Sequence, residues 1–233
     1  MSGNAARAIR TISGVGLVIV VAGCSVTQRA RPELPGGRCA LIQPNVCSQL
    51  TPGPPGGAAL RYIASDVQWA KYTTVMVNPV TVWGSETPTV APSDAQAAAD
   101  YLYNALVKAF QPKFKVVDAP APGVLQIQVA VTNAEAATPV LRTVSMAVPQ
   151  ARVLATLKYA ATGTYPFVGS AQGELEVRDA LDGRVVAAAI DRRVGGGSIS
   201  TAAQWPWGDA EKAMDEWAQT SVSRLVALQS SGK

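Results

Sequence analysis

Four carboxylates in this chain are spaced in a way that could do chemistry. Glu174, Glu176 and Asp179 occupy one short stretch, and Asp191 follows beyond a turn. If that stretch is a strand, Glu174 and Glu176 share a face, because strand side chains repeat every two residues. A carboxylate pair on one face can cleave a glycosidic bond or bind calcium. However, Arg178, Arg184, Arg192 and Arg193 lie in the same ribbon. The plainer reading is a solvated sheet face with cross-strand ion pairs, and it is preferred because nothing else in the chain looks like a sugar cleft. The chain has no histidine. That excludes Ser-His-Asp and Cys-His catalysis and histidine-bearing zinc or copper sites. There is no P-loop or dinucleotide fingerprint; Gly195-Gly196-Gly197 has the wrong spacing and no lysine after it. No catalytic residue, metal or cofactor is expected, and the protein is read as a non-enzyme.

The cysteines point elsewhere. Cys24 ends the sequence Val21-Ala22-Gly23-Cys24, after Arg7, Arg10 and the apolar run from Val15 to Ala22. This is the layout of an export signal, and the run is far short of the roughly 20 residues of a spanning helix. A small pair followed by cysteine is similar to a bacterial lipobox. The resemblance implies diacylglycerol on the Cys24 sulfur, cleavage before it, and acylation such as palmitate on the new amino group. One acyl chain holds only marginally and two or three hold stably. Residue 25 is Ser rather than Asp, which by analogy with enteric bacteria favours the outer membrane, facing the periplasm. Cys39 and Cys47 remain. An even pair in an exported protein reads as a disulfide; two free thiols or a metal pair are the alternatives, and two thiolates alone leave zinc half-filled.

Removing residues 1–23 takes away two arginines and no acid, so the net charge falls from +4 to +2. No Lys/Arg-rich block suggests nucleic acid.

The elements that must position these residues follow from periodicity. Residues 24–59 are dense in Pro and Gly, as in Thr51-Pro52-Gly53-Pro54-Pro55-Gly56-Gly57, and read as a disordered tether with a disulfide loop within it. A single domain is expected over 60–229. Tyr72 to Trp83 reads as a strand that Pro79 breaks, bulges or places at an edge. Ser93 to Phe110 reads as a helix with Ser93 and Gln96 as a capping box. Strands are expected over 115–118 and 125–131, a loop over 136–150, and helix or strand over 153–159. Residues 171–179 and 185–193 form a hairpin whose Asp182-Gly183 suits a tight type I′ turn. The last helix spans about Trp207 to Leu228, with Ala210, Met214, Trp217, Ser221, Leu225 and Leu228 on one face. Tyr62, Trp69 and Trp83 are expected in the core. Trp205-Pro206-Trp207 is a candidate contact patch, although packing under the last helix is the plainer reading. The fold class is α+β: a two-layer sandwich, mixed or mostly antiparallel, with two main helices.

Several stretches in this order resemble a family of bacterial lipoproteins known as the domain of unknown function 3313 family. They are Leu60-Arg61-Tyr62-Ile63, Tyr72 with Asn78 to Trp83, Gly123-Val124-Leu125, and Val131-Thr132-Asn133-Ala134. Val168-Gly169 with Glu174, Asp182 to Arg193, and Trp207 with Asp209-Ala210 and Trp217 complete the set. The resemblance covers about residues 60–228. It implies a location and a fold but no reaction, and it says nothing of Cys39 and Cys47.

The expected function is that of a lipid-anchored envelope protein working through protein contacts in the periplasm. The membrane, through the N-terminal lipid, and an envelope protein are its expected partners. The alternative is a periplasmic binding module for a small molecule or glycan, which a closed apolar pocket with converging polar groups would favour.

Overall fold

The computed structural model describes residues 28–83, 92–135, 170–194 and 208–231. Among them the chain runs through β1 (Gln28–Ala30), the one-turn helix α1 (Pro44–Cys47), β2 (Thr51–Pro52), β3 (Leu60–Ile63), β4 (Thr74–Val77) and β5 (Thr81–Val82). Helix α2 (Pro92–Phe110), β6 (Lys115–Val116), β7 (Val124–Glu135), β8 (Ser170–Asp179), β9 (Val185–Val194) and α3 (Gly208–Ser230) follow. The strands form one mixed sheet in the order β2-β3-β9-β8-β7-β4-β6. Strand β1 pairs with the far end of β9, and β5 with the middle of β7. Strand β4 is parallel to both β6 and β7, whereas β3, β9, β8 and β7 pair antiparallel. Helices α2 and α3 lie together on one face. The expected α+β class, with a mixed sheet and two main helices, is what the structure has. Among the described residues no helix is long and apolar enough to cross a membrane.

Periodicity explains the main core. Leu125, Ile127, Val129 and Val131 of β7 are buried, while Gln126 and Gln128 between them are half-buried. Leu102, Leu106 and Phe110 of α2, with Met214, Ala218 and Leu225 of α3, close over Val75 and Leu125. Helix α2 begins at Pro92, one residue before the expected cap, with proline at the position helices tolerate best. The Gln96 amide donates to Asp100 (2.8 Å). Pro79 does break its strand: β4 stops at Val77 and β5 resumes at Thr81, both beside β7.

Three expectations are corrected. First, residues 28–59 are an arm packed on the sheet, not a free tether. Beyond the β1 and β2 pairings, Ile42 and Val46 are buried against Val185, Ala188 and Ile190, on the sheet face opposite the helices. Proline and glycine density argues against regular ladders, but it leaves side chains and backbone N–H groups free to dock on a preformed surface. Second, the β8–β9 connection is longer than a two-residue turn. It spans Ala180 to Arg184, with Gly183 N–H donating to Asp179 O (3.0 Å) and Gly183 at φ +72°. The Asp179 carboxylate accepts from Leu181 N–H (2.9 Å), and this local bond stabilises the wider loop. Third, Trp83 is 48% exposed, its indole N–H donating to Thr81 Oγ1 (2.9 Å), because the short β5 turns it away from the core. Trp69 is in the core, and Tyr62 packs partly against it. The expected signal segment 1–23, the loop 136–150, the segment 153–159 and the Gly195-Gly196-Gly197 stretch lie outside the described residues.

Candidate functional site

Gln172, Glu174 and Glu176 alternate along β8 and point to the face that the arm covers. Glu174 is 2% exposed and Glu176 is fully buried. The Glu174 carboxylate accepts from the N–H groups of Ala40 (2.9 Å), Leu41 (2.7 Å) and Ile42 (3.2 Å). Glu176 accepts from Gln43 N–H (3.0 Å) and pairs with Arg178. Gln172 exchanges two bonds with the Glu33 backbone, at 2.7 and 2.8 Å. The donors at 40–43 all lie inside the loop closed by the Cys39–Cys47 disulfide. The solvated face expected from the sequence is therefore corrected. A buried carboxylate is tolerated only with partners, and here a row of backbone donors supplies them.

All four arginines of the ribbon are paired, but none across its strands, and Arg184 and Arg192 find their acids outside it. Arg184 pairs with Asp66, Arg192 with Glu33, and Arg193 with Asp191 and Glu216. Asp191 is a junction of three elements. It accepts from Ala59 N–H of the arm, from the Trp217 indole N–H of α3 (both 2.9 Å) and from Arg193 of its own strand. At the other end of the domain, Gln229 of α3 donates to Tyr72 O, and the Tyr72 hydroxyl and Lys71 both donate to Asp179. Burial raises the Asp179 pKa, but the bonds from Leu181 N–H, Tyr72 and Lys71 outweigh it and hold the carboxyl below its ordinary value. Burial pushes the Tyr72 phenol up.

Between these two fastenings α3 stands off the sheet and leaves a cleft of about 260 Å³. Its floor is Leu175 and Val177 of β8 with Ala187 and Ala189 of β9; its wall is Leu225 and Leu228 of α3. The cleft exists because β9 places methyl groups at 187 and 189, where larger side chains would fill it. Two arginines flank it. Arg61 sits on β3 directly opposite Ala189, and Arg224 rises from α3. Neither has an acidic partner among the described residues. The rim is the arm turn at 54–58, whose Pro54, Gly57 and Ala58 carbonyls all accept from Arg29 (3.2–3.5 Å). A smaller cavity of about 70 Å³ shares Leu175, Ala189 and Ser221 with the cleft and reaches Asp191 and Trp217.

Of the residues singled out in the sequence, Cys39 and Cys47 are joined, and the carboxylates are absorbed by the arm and the junctions. Cys24, Trp205 and Trp207 lie outside the described residues. Sequence reasoning missed Arg61, Arg224 and the alanines at 187 and 189. The available signal was the run of three alanines, Ala187 to Ala189, between Val186 and Ile190 of β9.

No curated protein matches the chain. Among solved structures it is similar to a PelC dodecamer subunit from Paraburkholderia phytofirmans, at 12% identity, with a TM-score of 0.39 over 69% of this chain and 96% of that one. A DUF330 protein from Xanthomonas campestris has 16% identity and a TM-score of 0.40 over 69% and 88%. A neuraminyllactose-binding hemagglutinin homolog from Helicobacter pylori has 10% identity and a TM-score of 0.36 over 71% and 88%. Likeness at this level carries no argument about activity. The family model for "Protein of unknown function (DUF3313)" matches residues 43–221, and the chain belongs to that family.

Proposed function

We propose that the protein is a lipoprotein of the bacterial envelope that works by binding rather than by turnover, with the cleft beside α3 as its binding site. The observation that carries this reading is the apolar cleft of about 260 Å³, already open and bordered by two arginines without acidic partners among the described residues. Pockets that bind small molecules are mostly apolar with a few placed polar groups. The carboxylates that a hydrolase would need are held instead by backbone donors, Arg178 and the arm. Lipidation at Cys24 would hold the domain at a membrane, with the outer membrane favoured by Ser25.

Contact with an envelope protein is the second reading. Val82 and Trp83, exposed side by side at the end of β5, favour it among the described residues, and Trp205 and Trp207 belong to it from the sequence. A photocrosslinking amino acid at Ile63 on the cleft rim, or at Trp83 or Trp207, separates the two in intact envelopes. Small-mass adducts at Ile63 support the binding site. A discrete protein adduct at Trp83 or Trp207, with nothing at Ile63, would replace it with the contact reading.

A further inference from the structure

We propose that the cleft takes a single-chain carboxylate, an alkyl chain of on the order of ten carbons with its head held by Arg61 and Arg224. The inference rests on the binding reading above and adds the chemistry of the ligand.

An apolar cavity of roughly 150 Å³ stays dry and accepts benzene. By the same measure a cleft of about 260 Å³ holds one chain of on the order of ten carbons, too little for two acyl chains side by side. The floor is four side chains on two neighbouring strands, Leu175 across from Ala189 and Val177 across from Ala187, and β9 contributes only methyl groups to it.

Arg178, Arg184, Arg192 and Arg193 all have carboxylate partners. Arg61 and Arg224 border an apolar cleft and have none among the described residues. Arg61 lies across from Ala189 in register, so its side chain is on the helix-covered face, beside the cleft. A methyl group on Gly57 would stand 3.4 Å from Arg224 Nη2, so Arg224 lies against the rim. A guanidinium presents a planar fork that matches the two oxygens of a carboxylate. The row of backbone N–H groups at 40–43, which would suit a phosphate, is on the other face of the sheet and already serves Glu174 and Glu176.

The rim is fixed before any ligand arrives. Arg29 holds three of its carbonyls. Gly53 is required there, because a Cβ would run into the Ala58 carbonyl. A preformed site avoids the ordering cost that weakens binding.

The test uses the full chain in its own envelope. Three decyl probes carry a diazirine at the tail and differ in the head: carboxylate, phosphate monoester or hydroxyl. Labelled peptides are mapped by mass spectrometry in the wild type, in Ala189→Phe, and in Arg61→Gln/Arg224→Gln, which removes the two charges and keeps polar side chains. Trypsin resistance and an intact Cys39–Cys47 bond report folding in each. For each probe the readout is the ratio of wild-type to Ala189→Phe labelling, which removes differences in membrane partition. The carboxylate probe should label peptides holding Ala187–Ala189 and Leu225–Leu228, with a ratio of at least about five. The double arginine variant should bring that ratio down to that of the hydroxyl probe. Equal ratios for carboxylate and hydroxyl, untouched by the arginine changes, would overturn the carboxylate assignment and leave the cleft as a binding site. A larger ratio for the phosphate would overturn the choice of head. Labelling insensitive to Ala189→Phe with every probe would remove the binding site itself.

Discussion

The disulfide and the buried carboxylates act as one fastening, and a double-mutant cycle between them measures this. Glu174→Gln keeps the side-chain shape but replaces one oxygen with an NH₂ group. Glu174 receives three backbone N–H groups, one on Oε1 and two on Oε2. The best placement keeps the amide oxygen on Leu41 and Ile42 and turns the NH₂ toward the N–H of Ala40, so two donors face each other. Leaving a buried donor without a partner costs about 1–3 kcal/mol, and bonds to a neutral acceptor are weaker than those to a carboxylate. The substitution should therefore cost about 2–4 kcal/mol in the disulfide-intact protein. Opening the loop, whose cysteines are 8 residues apart, costs about 2.5 kcal/mol in the chain-entropy model. If the closed loop is what aims the donors at 40–43, the two losses overlap. Urea unfolding of the wild type, Glu174→Gln, Cys39→Ser/Cys47→Ser and the triple variant should give a coupling of more than about 1 kcal/mol. Additivity within about 0.5 kcal/mol would refute the single-fastening argument, and the disulfide would then act on the unfolded chain alone.

Three further outcomes follow from the same structure. Asp179 has its folded pKa below its unfolded value, so its contribution is full above the ordinary carboxylate range and is lost as pH falls through the folded value. Asp179→Asn should flatten the acid side of the stability curve in urea melts at several pH values, and a slope equal to the wild type's would contradict this. Gly173 lets the Trp217 ring lie on β8, since a Cβ there would come within 3.1 Å of Cζ3. Gly173→Ala should cost about 1–3 kcal/mol and change tryptophan emission; unchanged stability and emission would show that the ring is not confined. Cys24→Ser should accumulate unprocessed precursor and lose acyl labelling in cells, and normal maturation of that variant would sink the lipid-anchor assignment.

Much of the scaffold was legible because it rests on local rules. Alternation in β7, the helical stripe of α3 and the missing N–H of Pro79 each act within a few residues. The arm was misread for the opposite reason. Its order comes from Glu174, Glu176 and Asp191, all more than 130 residues away in sequence, and no local pattern reveals such partners. The same long-range contacts turned an apparently solvated acidic face into a buried one. The cleft was also invisible, because it is defined by volume that Ala187 and Ala189 leave unfilled. An alanine in a strand looks the same whether a neighbour fills the gap or not. Arg61 and Arg224 stand out only once the arginines of the β8–β9 ribbon are seen to be paired.

The central claim is that the cleft beside α3 is occupied in the envelope by a small amphiphile. Native mass spectrometry of the protein released from its own membranes tests it most directly. One bound species of low mass per chain is expected in the wild type, and it should be lost from a folded Ala189→Phe variant. A wild-type protein that emerges without any bound small molecule, or one whose adduct survives Ala189→Phe, would contradict it.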